Sequence, residues 1–185
     1  MMNLKRVSGK ERVQAGKATA TVHKQHALVV FHLGEQAYGI PLHEVQEIVP
    51  LAALSRPPGL PSVLAGFLNL AGTAVPVLRL DRLFELPALT PGRYTPLLLL
   101  RNPDYRLALM VDKVSRIVSV AAEAVMPVRE KQSFNDCVEG VVTLDDHVIL
   151  LLSAERILLE KEHQLLAEFQ DREQARLRVM EETSP

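Results

Sequence analysis

Between residues 27 and 152 the chain never runs long without a glycine, a proline or a cluster of turn-forming polar residues, and this punctuation constrains the fold more than any other feature. The apolar text is cut into short runs, and long helices have no room there. ALVVFHLGEQAYGIPL (27–42) reads as strand, tight turn at Gly34-Glu35-Gln36, strand. LLLLRNPDYRLALMV (97–111) is a hairpin signal with its turn at Asn102-Pro103-Asp104, and GVVTLDDHVILLLS (140–153) is another, turning at Asp145-Asp146. VSRIVSVAA (114–122) alternates with a period near two. Counted along the chain, nine or ten short strands are expected. Strands that follow one another this closely make antiparallel sheets or barrels rather than a βαβ alternation.

Two segments depart from that style. DRLFEL (81–86) is a helical turn or two, stopped by Pro87. From Ser153 to about Glu182 the chain lacks Gly and Pro, is rich in helix formers and has a natural N-cap in Ser153. Ile157, Leu158, Leu165, Leu166 and Phe169 form an apolar stripe, whereas 170–176 is polar apart from Ala175. That pattern predicts a helix whose first half packs on the sheets and whose second half projects into solvent. A partner-binding or dimerising helix is the alternative.

The run GFLNLAGTAVP (66–76) holds two glycines and an asparagine in an otherwise apolar, uncharged stretch. A buried helix would avoid both glycines. The stretch reads instead as two strands hinged on Ala71-Gly72, with Gly66 and Gly72 giving close backbone approach or positive φ and Asn69 satisfying turn backbone groups. Pro76 suits an edge or strand end. The preceding Arg56-Pro57-Pro58-Gly59-Leu60-Pro61 is a loop by composition.

With 185 residues, 48% of them apolar, the chain can bury one ordinary core, built from Leu, Val, Ile and Ala because aromatics are 4% and Trp is absent. A net charge of −1 argues against nucleic acid as an obligatory partner. The six basic residues of the first 26, set against Glu11 alone, read as a solvated arm, with contact to an acidic partner or a membrane surface as the alternative. No apolar run is long enough to span a bilayer, and no signal peptide is written at the start, so a cytoplasmic location is expected.

Catalytic chemistry finds no support. Cys137 is the one cysteine, beside Asp136, and can neither form an internal disulfide nor supply a cysteine-rich zinc site. The six histidines show no HExxH spacing, and no GxSxG elbow or phosphate-cradling glycine pattern occurs. Asp145-Asp146-His147 is a carboxylate–imidazole cluster in composition but a turn by position. Neither an enzyme nor a cofactor is expected.

Four stretches together resemble the CheW-like domain family of bacterial chemotaxis: FHLGEQAYGIPLHEVQEIV (31–49), GFLNLAGTAVPVLRLDRLF (66–84), LALMVDKVSRIVSV (107–120) and EGVVTLDDHVILLLSAERIL (139–158). The resemblance implies a mainly β fold of two small intertwined five-stranded β-barrels with a C-terminal helix. It divides the chain into an arm (1–26), the domain (27–158) and a helical extension (159–185). It also implies a non-enzymatic scaffold that binds the regulatory domain of a CheA-type histidine kinase and the cytoplasmic tip of a chemoreceptor, and that is recruited to membrane-associated receptor arrays. By matching motif positions the resemblance implies that Val45, Glu47, Gly66, Asn69, Ala71 and Gly72 border the partner-binding surfaces, with Ala108 and Ile117 contributing from the second barrel. The family usually reads N-L-R-G where this chain has Asn69-Leu70-Ala71-Gly72, so the arginine that would pair with Glu47 is missing; Ala108 stands where glycine is common. Kinase contacts are therefore expected to persist and receptor contacts to be altered or weakened. The alternative is a specialised CheW-like protein that docks another client through its C-terminal helix.

Overall fold

The computed structural model describes residues 25–102, 105–128, 136–158 and 160–183. Among the described residues twelve strands and two α-helices follow in order: β1 (Gln25–Leu33), β2 (Gln36–Pro41), β3 (Val45–Pro50), β4 (Leu54–Ser55), β5 (Leu64–Leu70), β6 (Thr73–Arg79), α1 (Leu80–Leu83), β7 (Pro96–Leu100), β8 (Ala108–Met110), β9 (Lys113–Ala121), β10 (Met126–Pro127), β11 (Val138–Leu144), β12 (His147–Leu152) and α2 (Glu160–Thr183). The expected nine or ten strands become twelve chiefly through β4 and β10, two residues each, which carry too little sequence to leave a period. The arm lies outside the described residues up to position 24, and so do Pro103 and Asp104 of the expected hairpin turn. β1 already begins at Gln25, where Gln25 and His26 pair with Ala121 and Val120.

The strands form two six-stranded sheets. One runs β10-β11-β12-β2-β1-β9, drawing on both ends of the chain; the other runs β3-β7-β8-β6-β5-β4 and is built from residues 45–110 alone. Neighbours are antiparallel except for β12 on β2 and β6 on β8. The parallel β2–β12 ladder, Ile149 opposite Ala37 through Leu151 opposite Gly39, ties the two chain ends together around the inserted sheet. This is the intertwining that the resemblance implied, with six strands a side instead of five.

The apolar runs explain the layering. Along β1, Val29, Phe31 and Leu33 enter a central core, whereas Leu28 and Val30 enter a second core belonging to their own sheet. Along β7, Leu98 and Leu100 join the same central core, and Leu97 and Leu99 a third core within the other sheet. Successive strand side chains point to opposite faces, so a run such as LLLL marks a strand buried on both. Each sheet thus wraps a core of its own, and the two share a third between them. Phe31 stacks on Tyr38 (centroids 5.8 Å apart), and Tyr38 meets Phe84 at 5.9 Å, which joins β1 and β2 to the chain following α1. Asp81 anchors that same region from inside. It is 2% exposed, and its carboxylate takes Arg79 Nε and Nη2 and the Leu89 N–H, while Arg79 Nη2 also reaches the Leu89 carbonyl.

The C-terminal segment differs from expectation in two ways. Ser153 starts a short 3-10 turn (Ala154–Arg156) without a side-chain cap, and the α-helix begins only at Glu160. Ile157 and Leu158 are instead spent on the central core. The polar half of the helix does not project into solvent: Gln170, Glu173 and Gln174 face the second sheet, and Glu173 is 4% exposed.

Candidate functional site

The β5–β6 hairpin gathers the residues singled out in GFLNLAG. Leu70 pairs with Thr73, leaving the two-residue loop Ala71-Gly72 with φ of 48° and 80°. Two successive positive φ values are the signature of a type I′ turn, whose twist suits a two-residue hairpin. Gly72 accepts that conformation freely; Ala71 does so against its Cβ. Asn69 Oδ1 accepts the Gly72 N–H at 2.9 Å, which is the local satisfaction its residue type offers. Asn69 and Ala71 are exposed.

Gly66 acts from below. Its φ is 146°, and a Cβ there would lie 2.5 Å from the Ser55 carbonyl oxygen and 2.9 Å from Leu54 Cβ. A register shift between Leu64 and Gly66 marks a bulge, and the Ala65 carbonyl accepts Arg56 Nε at 2.9 Å. The glycine therefore lets β4 and the Pro-rich loop lie directly on β5, under the hairpin.

Helix α2 closes the other side. The β6–β8 ladder covers only Val77–Arg79, so the first half of β6 has no strand neighbour on that flank. Gln174 Oε1 accepts the Ala74 N–H (2.9 Å), Gln170 Nε2 donates to the Ala74 carbonyl (3.0 Å), and Gln174 Nε2 donates to the Gly72 carbonyl (2.7 Å). The i, i+4 spacing puts both amides on one helix face. Arg176 Nη1 donates to Ser55 Oγ at 2.9 Å and pairs with Glu173 at 3.3 Å. Two glutamines thus do for Ala74 what a further strand would do. Sequence reasoning missed them because a polar i, i+4 pair looks the same whether it faces water or a strand edge.

The remaining positions lie apart. Val45 is buried at the start of β3; Glu47, two residues on, is exposed beside a register shift against β7. β3 is the far strand of this sheet, with β7 and β8 between it and β6. Ala108 belongs to this same sheet and not to the other one as expected, and at 0% exposure in the middle strand β8 its side chain reaches no surface. Ile117, on the outer strand β9 of the other sheet, is 59% exposed.

At the junction of the sheets, Glu44 accepts the Ala154 N–H at 3.1 Å, and its backbone carbonyl accepts the Arg101 N–H at 2.7 Å. Burial pushes its carboxyl above the ordinary value, and Glu139 and Glu155 act the same way, against the Ala154 hydrogen bond. Asp145-Asp146 is the expected turn, both at positive φ, with Asp145 paired to Arg116 at 3.0 Å and its carbonyl 2.6 Å from His147 Nδ1. Among the described residues no three His, Cys, Asp or Glu side chains come together as a metal site, and no helix is long and apolar enough to cross a membrane. The arrangement offers hydrogen-bonding edges and exposed turns.

Comparison with known proteins agrees in extent with this architecture. A family model described as "CheW-like domain" matches residues 27–162. The chain is 29% identical over 150 residues to the chemotaxis protein CheW of Treponema pallidum, covering 78% of this chain and 88% of that protein. It is 28% identical over 129 residues to the chemotaxis protein CheW of Helicobacter pylori, with coverages of 69% and 78%. The crystal structure of the scaffolding protein TtCheW from Thermoanaerobacter tengcongensis superposes with a TM-score of 0.67 over 74% of this chain and 89% of that one, at 23% identity, a likeness of fold.

Proposed function

This chain belongs to the CheW-like family, and from that premise we propose that it is a non-enzymatic coupling adaptor of a chemotaxis-type signalling system, binding a CheA-type histidine kinase through its regulatory domain and a chemoreceptor through its cytoplasmic tip. The observation that carries the reading is the family match across both sheets, 27–162, with relatives named as chemotaxis proteins covered over most of their length. The double sheet suits the role. Each sheet wraps its own core, so exposed turns and outer strands are held rigidly and can be offered to two partners at once.

Glu47, Asn69, Ala71, Gly72 and Ile117 are the positions proposed to meet partners. Val45, Gly66 and Ala108 hold the strands beneath them. An amphipathic receptor helix docking along the hairpin would find no cation at position 71, which weakens receptor contact while leaving kinase contact in place. The protein would work in the cytoplasm, recruited to receptor arrays at the membrane.

Calorimetric titration of the full chain with the kinase regulatory domain, and separately with a receptor tip fragment, tests this. Binding to both is expected, the receptor tip more weakly, with Ala71→Arg strengthening the receptor tip and not the kinase domain. Binding to neither would overturn the adaptor role, and an Ala71→Arg variant with unchanged receptor affinity would overturn the part assigned to Ala71.

A further inference from the structure

The hairpin assigned to a partner already has an occupant. Gln174 donates to the carbonyl of Gly72, one of the turn residues, and with Gln170 it takes both backbone groups of Ala74 just beyond the turn. We propose that α2 is a displaceable internal ligand of the β5–β6 hairpin, and that a helical partner docks there only when α2 is released. The inference rests on the adaptor reading above and adds a regulatory step to it.

Three features make α2 a removable part. First, the family match ends at residue 162, three residues into a helix that continues to Thr183, so most of α2 lies beyond the matched domain. Second, the hydrogen bonds that seat the helix are replaceable. The amides of Gln170 and Gln174 bond the hairpin and Arg176 bonds Ser55 on β4, all of which water can replace at both ends on release, and Glu173, buried against the sheet beside Arg176, regains its hydration when the helix leaves. Leu166, near the start of the helix, is its buried apolar anchor, so the far turns can lift without opening the central core. Third, the fit loosens toward the C-terminus. A cleft of about 220 Å³ is lined by Phe67, Leu68 and Asn69 on the sheet and by Leu177 and Met180 on the helix, and Val179 and Met180 stay largely exposed. A helix seated on a strand edge through an i, i+4 pair of amides is also the geometry that another helix could take over.

The test uses the full chain carrying Gln170→Ala and Gln174→Ala together, read by amide hydrogen exchange at Ala74 and by calorimetric affinity for the receptor tip fragment. Exchange at Ala74 should accelerate at least tenfold, and the Kd for the receptor tip should fall at least fivefold below that of the unmodified protein. Should the double variant not fold, Gln174→Glu keeps an acceptor for the Ala74 N–H, replaces the donor to Gly72 by a carboxylate oxygen that repels that carbonyl, and should shift both readings the same way by a smaller factor. An Ala74 amide that opens while the Kd stays the same or rises overturns the internal ligand and leaves the adaptor reading standing. Unchanged exchange at Ala74 overturns it as well, since the helix would then be held by other contacts. Receptor-tip binding by neither protein overturns this inference, and the adaptor reading falls with it only if the kinase regulatory domain is not bound either.

Discussion

Gln174 reaches across a sequence separation of 100 residues to accept the Ala74 N–H at 2.9 Å, and Ala74 is fully buried. A strand edge left bare is a template for unwanted pairing with other chains. Here a helix covers that edge through side-chain amides, a cover that protects the strand and yet remains separable from it, as a sixth ladder of backbone bonds would not.

Ala71 occupies a left-handed conformation (φ 48°) at the first position of a type I′ turn. Asparagine and glycine are the residues that this position favours. Ala71→Asn should raise stability by about 0.5–1 kcal/mol, visible as a higher thermal midpoint, with Asn69 still accepting the Gly72 N–H. An unchanged or lower midpoint would mean that the turn is not under strain.

Gly66→Ala should be far more costly. The added methyl would meet the Ser55 carbonyl oxygen at 2.5 Å, in backbone that L-residues rarely adopt, and backbone cannot yield as a side-chain tip can. A loss of about 3 kcal/mol or more is expected in urea denaturation. A loss below about 1 kcal/mol would show that β4 moves aside freely.

Asp81 is buried with Arg79 as its partner. Burial alone would push its carboxyl up, but the Arg79 hydrogen bonds, the Leu89 N–H and the Arg79 charge together bring it below its ordinary value of 3.8. A carboxyl lowered in the folded state contributes stability that is complete above 3.8 and is lost as the pH falls through the lowered value. Asp81→Asn should therefore cost about 3–5 kcal/mol at neutral pH, because it strands the largely buried Arg79, and should flatten the acid limb of the stability curve below pH 3.8. Acid denaturation curves of the two proteins that stay parallel would contradict this.

Glu44 runs the other way. Burial raises its carboxyl above the ordinary value of 4.5, so its contribution is fully present below 4.5 and is lost as the pH rises through the raised value. Glu44→Gln keeps an acceptor for the Ala154 N–H and removes the charge that burial penalises. The variant should match or exceed the parent at pH 7, by no more than about 1 kcal/mol given the water still reaching this partly buried group, with the difference vanishing near pH 4. A variant clearly less stable at pH 7 would show that the ionised form is the one the junction needs.

Much of the site was legible because its information is local. Gly72 at positive φ, Asn69 on the Gly72 amide, and Gly66 under a close backbone approach all follow from what those residue types can do within a few positions of chain. Ala108 shows where that logic stopped. Its place in β8 depends on the parallel β6–β8 ladder, Val77 opposite Ala108, which no turn residue announces. The helix shows it again: the apolar stripe marked Leu165 and Leu166 alike, yet Leu166 is buried and Leu165 is 46% exposed, and the docking of Gln170, Glu173 and Gln174 left no hydrophobic trace to read.

The short strands and their hairpin turns at Ala71-Gly72 and Asp145-Asp146 are written in the residues themselves, because turn chemistry and side-chain alternation act over a few positions, and the motifs that mark the family are written there too. Which strands met across the chain, β12 on β2 and β8 on β6, and which face of α2 became an inner one depended on how the sheets packed. Runs buried on both sides, such as LLLL, carry no preferred face and so no partner, and an amide finds its strand edge only once the sheets have brought that edge within 3 Å.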